Sequence, residues 1–194
     1  YIDKLGLTSK TGIDIAGEAG TIIHKKENVG EVELATMSFG QSFQITPMQM
    51  LRAAAAIVNG GNLVTPHFAI RTCAADKTTY SEFSYSTTQE AVSKETSDTM
   101  KDILRQVVEE GGGKNAYIEG FSIGGKTATS QKLPRGSGKY IASFIGFSDV
   151  TDPSVIAMCL IDEPQGVYYG GTIAAPVIRE LYDNISVSYT HLRP

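Results

Sequence analysis

The sequence is poor in cysteine, in clustered basic residues and in long apolar runs, and each shortage excludes a class of protein. The two cysteines, Cys73 and Cys159, lie far apart and lack the spacing of metal ligands. They are interpreted as ordinary thiols, although a disulfide between them stays open. The 17 Lys and Arg residues against 21 Asp and Glu residues form no basic cluster of the kind that binds nucleic acid. No apolar run approaches the ~18 residues of a membrane-spanning helix.

An initiator methionine and a signal peptide are also missing. The chain begins Tyr1-Ile2-Asp3-Lys4-Leu5, as expected of a piece of a longer protein. Its 194 residues, 41% apolar and 20% charged, are typical of one globular domain with a core.

Four segments have the pattern of helices, namely residues 31–39, 47–58, 94–110 and 173–185. Thr46 and Pro47 are a hydroxyl N-cap and a proline at the first helical position, which together predict a helix start. Ser93 is expected to cap the third helix, and Gly111 to Gly113 to end it. Pro176 is tolerated because it falls in the first turn of the last helix. Residues 8–20 are rich in turn formers and predict a loop.

Three strands are predicted near residues 121–131, 139–147 and 154–162, between the third and the last helix. Their short connections favour antiparallel pairing, so the fold class is predicted as α+β, an antiparallel sheet flanked by helices. The third strand is apolar throughout, which predicts that both of its faces are covered.

The segment 124–131, GGKTATSQ, carries the clearest chemistry. Alternate residues of a strand share a face, so Thr127 and Thr129 are expected to point the same way and Lys126 the other way. Two hydroxyls beside an ammonium group form a receptor for a carboxylate, and an edge-strand N–H can donate to an oxyanion. On these residues alone, a threonine-rich strand with a solvated lysine remains the simpler interpretation.

The segment resembles the Lys-Thr-Gly motif of penicillin-binding proteins and serine β-lactamases. Other blocks extend the resemblance to class B penicillin-binding proteins of the division and sporulation type over nearly the whole chain: residues 10–18 (KTGIDIAGE), 34–61 with Pro66 and His67, 139–164 and 170–181. The resemblance implies a partial penicillin-binding protein or serine β-lactamase-like transpeptidase fold over residues 1–186. Residues 187–194 are interpreted as a non-native tail.

The family resemblance also implies an activity, cross-linking of peptidoglycan stem peptides by serine acyl transfer, with β-lactams as inhibitors. Lys126 would supply positive charge and organise protons, and the strand residues Thr127, Ala128 and Thr129 would bind the substrate. The Thr129 N–H would be one oxyanion donor. No cofactor, metal or nucleic acid is implied. The expected location is the extracytoplasmic face of a bacterial membrane, with an N-terminal anchor outside this sequence and a membrane-embedded glycan polymerase as partner.

The sequence departs from the family pattern in two respects. No serine is followed by lysine three residues later, and no Ser-x-Asn occurs, so the nucleophile is expected upstream of Tyr1. Ala128 stands where the motif has glycine, and its methyl group is expected to be accommodated with altered kinetics, the alternative being a weakened or inactive site. The alternatives are a β-lactam sensor or β-lactamase-related protein, and a degenerate, non-catalytic scaffold of the wall machinery.

Four other features are given structural interpretations. His24 is expected in a solvated loop, and His67 in a structural block. Tyr168 to Gly171 are expected to pack beneath the last helix rather than to border a cleft. Asp162 and Glu163 are adjacent in sequence and are interpreted as turn residues before Pro164.

Overall fold

The computed structural model describes residues 1–134 and 136–192, with side chains through residue 185. The chain divides into two compact units, residues 1–97 and a second unit that begins at Asp98. Each of the two units has its own small core.

The first unit contains two helices and two pairs of short strands. The helices are α1 (Glu31–Ser38) and α2 (Pro47–Val58). The strands are β1 (Leu63–Val64), β2 (Arg71–Cys73), β3 (Tyr80–Glu82) and β4 (Thr87–Thr88). β1 pairs with β4 and β2 with β3, both antiparallel. Residues 8–20 form the predicted loop.

Helix α2 begins at the predicted residue. The Thr46 side chain accepts a hydrogen bond from the Gln49 N–H at 3.1 Å, and the Gln49 side chain accepts one from the Thr46 N–H at 2.8 Å. This reciprocal capping box leaves the buried Gln49 amide free to donate to the Ser9 carbonyl and the Thr21 hydroxyl. The start of α2 therefore also holds the N-terminal loop in place.

The second unit is built on a three-stranded antiparallel sheet. Helix α3 (Lys94–Glu109) precedes it, with the Thr96 N–H bonded to the Ser93 hydroxyl as the sequence predicts. The strands are β5 (Ile123–Gln131), β6 (Tyr140–Ser148) and β7 (Val155–Asp162), in that order across the sheet. The short helix α4 (Gly170–Ile173) and the long helix α5 (Ala175–Leu192) follow.

One face of this sheet packs against α5 and forms the core of the unit. Phe144 of β6 lies completely buried in the same cluster as Ile178 and Tyr182 of α5. The Tyr182 hydroxyl donates to the Gly146 carbonyl, so the only polar atom of this buried ring has a partner. The α+β class with an antiparallel sheet is thus confirmed, and the predicted strands differ from the observed ones by at most two residues.

The prediction that both faces of the third strand are covered is wrong. Val155, Ala157, Cys159 and Ile161 pack against the core on the side of α5. On the other face, Ile156 and Met158 are only partly buried and Leu160 is 42% exposed. β7 is the outer strand of the sheet as described, so an apolar run here does not mean burial on both sides.

Helix α5 continues to Leu192, beyond its predicted end near residue 185. Most of the segment 187–194 is therefore helical rather than irregular, and Arg193 and Pro194 lie outside the described residues. Its non-native origin stays a prediction. Among the described helices, none combines the length and the apolar character needed to cross a bilayer. Both cysteines are free thiols, Cys73 exposed and Cys159 half-buried.

Candidate functional site

The predicted site lies on β5, an outer strand of the sheet. Among the described strands, β5 pairs only with β6, so its other edge is open. Gly124 and Gly125 lie near the start of β5, where aromatic rings of β6 cross the strand. A Cβ on Gly124 would lie 2.2 Å from the Phe147 ring, and one on Gly125 would lie 2.5 Å from the Phe144 ring. The two glycines therefore allow this strand to pack directly onto β6.

Thr127 and Thr129 share one side of β5, as strand alternation predicts, and both line a cavity of about 370 Å³. The second wall of the cavity is the segment that follows α3, residues 111–115, and the third is the start of α4, residues 169–172. Three separate segments of the second unit thus meet around the two threonine hydroxyls.

Close backbone packing holds α4 against β5. Gly170 is buried, and a Cβ there would lie 2.4 Å from the Ala128 carbonyl oxygen and 2.2 Å from that of Ser143. The Gly170 N–H donates to the Thr129 hydroxyl oxygen at 3.2 Å. On the opposite wall, the Asn115 amide donates to the Gly171 carbonyl at 2.8 Å. These contacts fix the width of the cavity.

Lys126 lies apart from the threonine side chains. It is exposed, and its Nζ donates to the Thr127 carbonyl at 2.8 Å. In a strand, the backbone groups of residues i and i+2 point to the same edge, so the Thr127 carbonyl and the Thr129 N–H share an edge. The ammonium group of Lys126 therefore lies beside the backbone of the motif.

Ala128, which replaces the glycine of the motif, fits the strand without backbone strain. It pairs in register with Ser143, its side chain is exposed, and it is not among the residues with positive φ. The extra methyl group is therefore compatible with the fold of β5. Its effect on a bound ligand remains a prediction.

The cavity has an uneven charge distribution, because Lys114 is the only charged residue among those that line it. Tyr169 also lines it, and a hydrogen bond with the Tyr168 hydroxyl raises the pKa of Tyr169, which keeps its phenol neutral. Within the described residues, no group of three or more His, Cys, Asp or Glu side chains is arranged to hold a metal ion.

Sequence reasoning missed Lys114 and Asn115, and it wrongly placed Tyr169 in the packing beneath the last helix. Tyr169 is 57% exposed and faces the cavity, whereas Tyr168 stacks on Tyr140 with ring centroids 4.0 Å apart. The two glycines after the tyrosines let the backbone approach the sheet closely, which leaves the Tyr169 side chain outside.

The other predicted features lie away from this cavity. His24 is exposed, and His67 stacks on Tyr85 at 3.8 Å in the first unit. Asp162 and Glu163 both bind the Lys132 ammonium, at 2.9 and 2.8 Å, beside the loop that connects β5 to β6. Neither histidine and neither carboxylate contributes to the lining of the cavity.

Residues 1–183 match the model of the penicillin binding protein transpeptidase domain. Stage V sporulation protein D of Bacillus subtilis is 42% identical over 183 residues, which cover 92% of this chain and 28% of that protein. A probable peptidoglycan D,D-transpeptidase PenA of Neisseria flavescens is 30% identical over 186 residues, 93% of this chain and 44% of that protein. The chain thus spans less than half the length of either relative.

A solved structure agrees with these matches. Penicillin binding protein 3 of Mycobacterium tuberculosis, crystallised with ampicillin, superposes with a TM-score of 0.87 and 25% identity, over 97% of this chain and 45% of that one. The chain therefore belongs to the penicillin-binding protein transpeptidase domain family, in its class B division and sporulation type.

Proposed function

We propose that this chain forms the substrate-carboxylate wall of a peptidoglycan D,D-transpeptidase. The observation that carries the proposal is the placement of Thr127 and Thr129 in one cavity at the open edge of β5. Two hydroxyl donors aimed into a cavity without a carboxylate suit an anionic ligand. The chain matches a family named for penicillin binding, and its β5 segment resembles the Lys-Thr-Gly motif of that family, which supports the assignment of a carboxylate site.

The proposed reaction is acyl transfer through a serine. The serine oxygen attacks the penultimate D-Ala carbonyl of a stem peptide, an ester forms, and terminal D-Ala leaves with the proton as its amine. An amine of a second stem peptide then attacks the ester, which restores the serine and forms the cross-link. A β-lactam would acylate the same serine.

The residues of β5 would act around this chemistry without forming the covalent bond. Thr127 and Thr129 donate to the carboxylate of the substrate or antibiotic, with Ala128 between them. The Thr129 N–H donates to the developing oxyanion; loss of one such donor typically lowers the rate about 100- to 1000-fold. Lys126 supplies positive charge beside the reacting groups. The proposed partners are stem peptides and a membrane-embedded glycan polymerase, at the extracytoplasmic face of an anchored parent protein.

A chimera tests this function. Residues 1–183 replace the matching segment of Stage V sporulation protein D, and acylation by a fluorescent penicillin is measured. We expect labelling at the serine of the host protein. Thr127→Val and Thr129→Val should each lower the acylation rate about tenfold or more, because each removes a hydroxyl donor to the carboxylate.

Thr151→Val is the matched control, since the Thr151 hydroxyl is exposed and bonds to Asp149 outside the cavity. It should leave acylation unchanged. The 194-residue chain by itself should form no penicilloyl ester in mass spectrometry, because no Ser-x-x-Lys is present. A folded chimera that resists acylation, or threonine variants that label at the full rate, would contradict the proposal.

A further inference from the structure

Lys114 occupies a place in the cavity that the motif on β5 does not explain. It starts the short 3-10 helix Lys114–Ala116 after α3, in the wall of the cavity opposite Thr127 and Thr129. It is exposed, and no ion pair within the described part of the chain includes its ammonium group. An ammonium group without an intramolecular counter-ion, on a residue that lines the same cavity as two hydroxyls, is available to an anion.

The remaining lining strengthens this assignment. Its other side chains are hydroxyls of threonine and tyrosine and the Asn115 amide, all neutral. The Asn115 amide is already bonded to the Gly171 carbonyl, which fixes the neighbouring wall and leaves Lys114 beside a rigid turn. No negative charge lines the cavity that would neutralise the cation or repel a carboxylate.

The position of Lys126 leaves the carboxylate subsite without a cation from β5. Lys126 falls on the opposite side of the strand from the two threonine side chains and bonds to the Thr127 carbonyl. Of the two lysines, Lys114 alone is among the residues that line the cavity around the threonine side chains.

We infer that Lys114 is a specificity-determining residue that binds the terminal carboxylate of a D-Ala-D-Ala stem peptide together with Thr127 and Thr129. The inference rests on the proposed function, since it assumes that this cavity receives the stem peptide. The inference assigns different roles to the two lysines. Lys114 binds the free carboxylate, whereas Lys126 lies beside the backbone of the motif.

The test compares two peptides on the full chain by amide NMR titration: N-acetyl-D-alanyl-D-alanine, and the same peptide with a C-terminal carboxamide. The wild-type chain should bind the carboxylate form more tightly. Lys114→Met should weaken that binding about fivefold and leave the carboxamide unchanged, since one partly solvated charge contact is lost. Lys114→Arg should retain the preference, because the charge is kept.

Arg179→Met is the matched control, as it removes one exposed positive charge from α5 that does not line the cavity. It should leave the ratio of the two affinities unchanged. A carboxylate preference that survives Lys114→Met overturns the inference and leaves the proposed function standing. A wild-type chain that binds neither peptide, or binds both equally, contradicts the inference, and binding to neither also contradicts the proposed carboxylate wall.

Discussion

Gly170 is buried at the start of α4, with its Cα against the backbones of two neighbouring strands. The two atoms that a Cβ at this position would meet first are carbonyl oxygens, of Ser143 on β6 and of Ala128 on β5. Backbone atoms of a paired sheet cannot rotate aside as a side chain can, so the start of α4 has to move if Gly170 gains a side chain. This movement would also separate the Gly170 N–H from the Thr129 hydroxyl.

We therefore expect Gly170→Ala to lower the free energy of unfolding by about 1–3 kcal/mol, as for other overpacked sites. Denaturant unfolding measures the change. Gly112→Ala is the matched control: the nearest atom to its Cβ would be the Thr127 hydroxyl oxygen at 4.0 Å, so its effect should stay within about 0.5 kcal/mol. Equal stability of the two variants would contradict the close packing of α4.

Single residues also show what the sequence can and cannot reveal about the site. Thr127 and Thr129 were predictable because strand alternation depends only on local geometry. Lys114 and Tyr169 were not, because each reaches the cavity from a turn about a dozen to forty residues away. Their positions depend on how α3 and α4 end against the sheet, which no local pattern determines.

At the scale of elements, a group of charged side chains lies beside the loop that connects β5 to β6. Glu163 binds Lys132 at 2.8 Å and Lys139 at 2.9 Å, one residue from each arm of the hairpin. The Glu163 N–H also donates to the Tyr140 carbonyl. The hydrogen bond from Lys132, followed by that from Lys139, lowers the pKa of Glu163 below its ordinary value of 4.5.

When folding lowers the pKa of a carboxyl group, the ionised group stabilises the folded state at pH values above its ordinary pKa. This stabilisation is lost as the pH falls through the pKa that the group has in the folded state. We thus expect the Lys132 amide, which donates to the Lys139 carbonyl beside these charges, to exchange slowly at neutral pH. Protection should weaken below about pH 4.5 after correction for the intrinsic exchange rate. In Glu163→Gln, protection should already be reduced at neutral pH and should respond less to this acid range, because Asp162 is then the remaining carboxylate that binds Lys132.

Asp149→Asn provides the control, because Asp149 accepts hydrogen bonds from Thr151 in the β6–β7 turn and contacts neither lysine. It should leave the Lys132 amide protected at neutral pH. Unchanged protection of that amide in Glu163→Gln would show that the charges do not stabilise the connection between β5 and β6.

The elements themselves were largely predictable. The Thr46-Pro47 start of α2, the Ser93 cap of α3 and the glycines that follow α3 are local chemistry, and the structure confirms them. The burial of β7 was not predictable from its composition. An apolar strand in the middle of a sheet and one at its side have the same sequence pattern, and only the order of strands distinguishes them.

At the scale of the whole molecule, charge is low and apolar surface is considerable. The net charge is -4 and the sequence pI is about 5.4, so little electrostatic repulsion keeps chains apart under mildly acidic conditions. β7 pairs with β6 and with no other described strand, and its residues 155–161 include no charge, proline or glycine. An open edge with this composition is a template for pairing with another chain.

We therefore expect the 194-residue chain to self-associate, most strongly near pH 5.4, as measured by light scattering over a pH series. Leu160→Lys should reduce association, because Leu160 is 42% exposed on β7 and a charge on an outer strand disfavours edge pairing. Leu133→Lys makes the same charge change at a residue that is 72% exposed in the hairpin turn, off the sheet.

If exposed apolar surface in general drives association, Leu133→Lys should be at least as effective as Leu160→Lys. If the β7 edge drives it, only Leu160→Lys should keep the chain monomeric, and equal scattering from both variants would contradict the role of this edge.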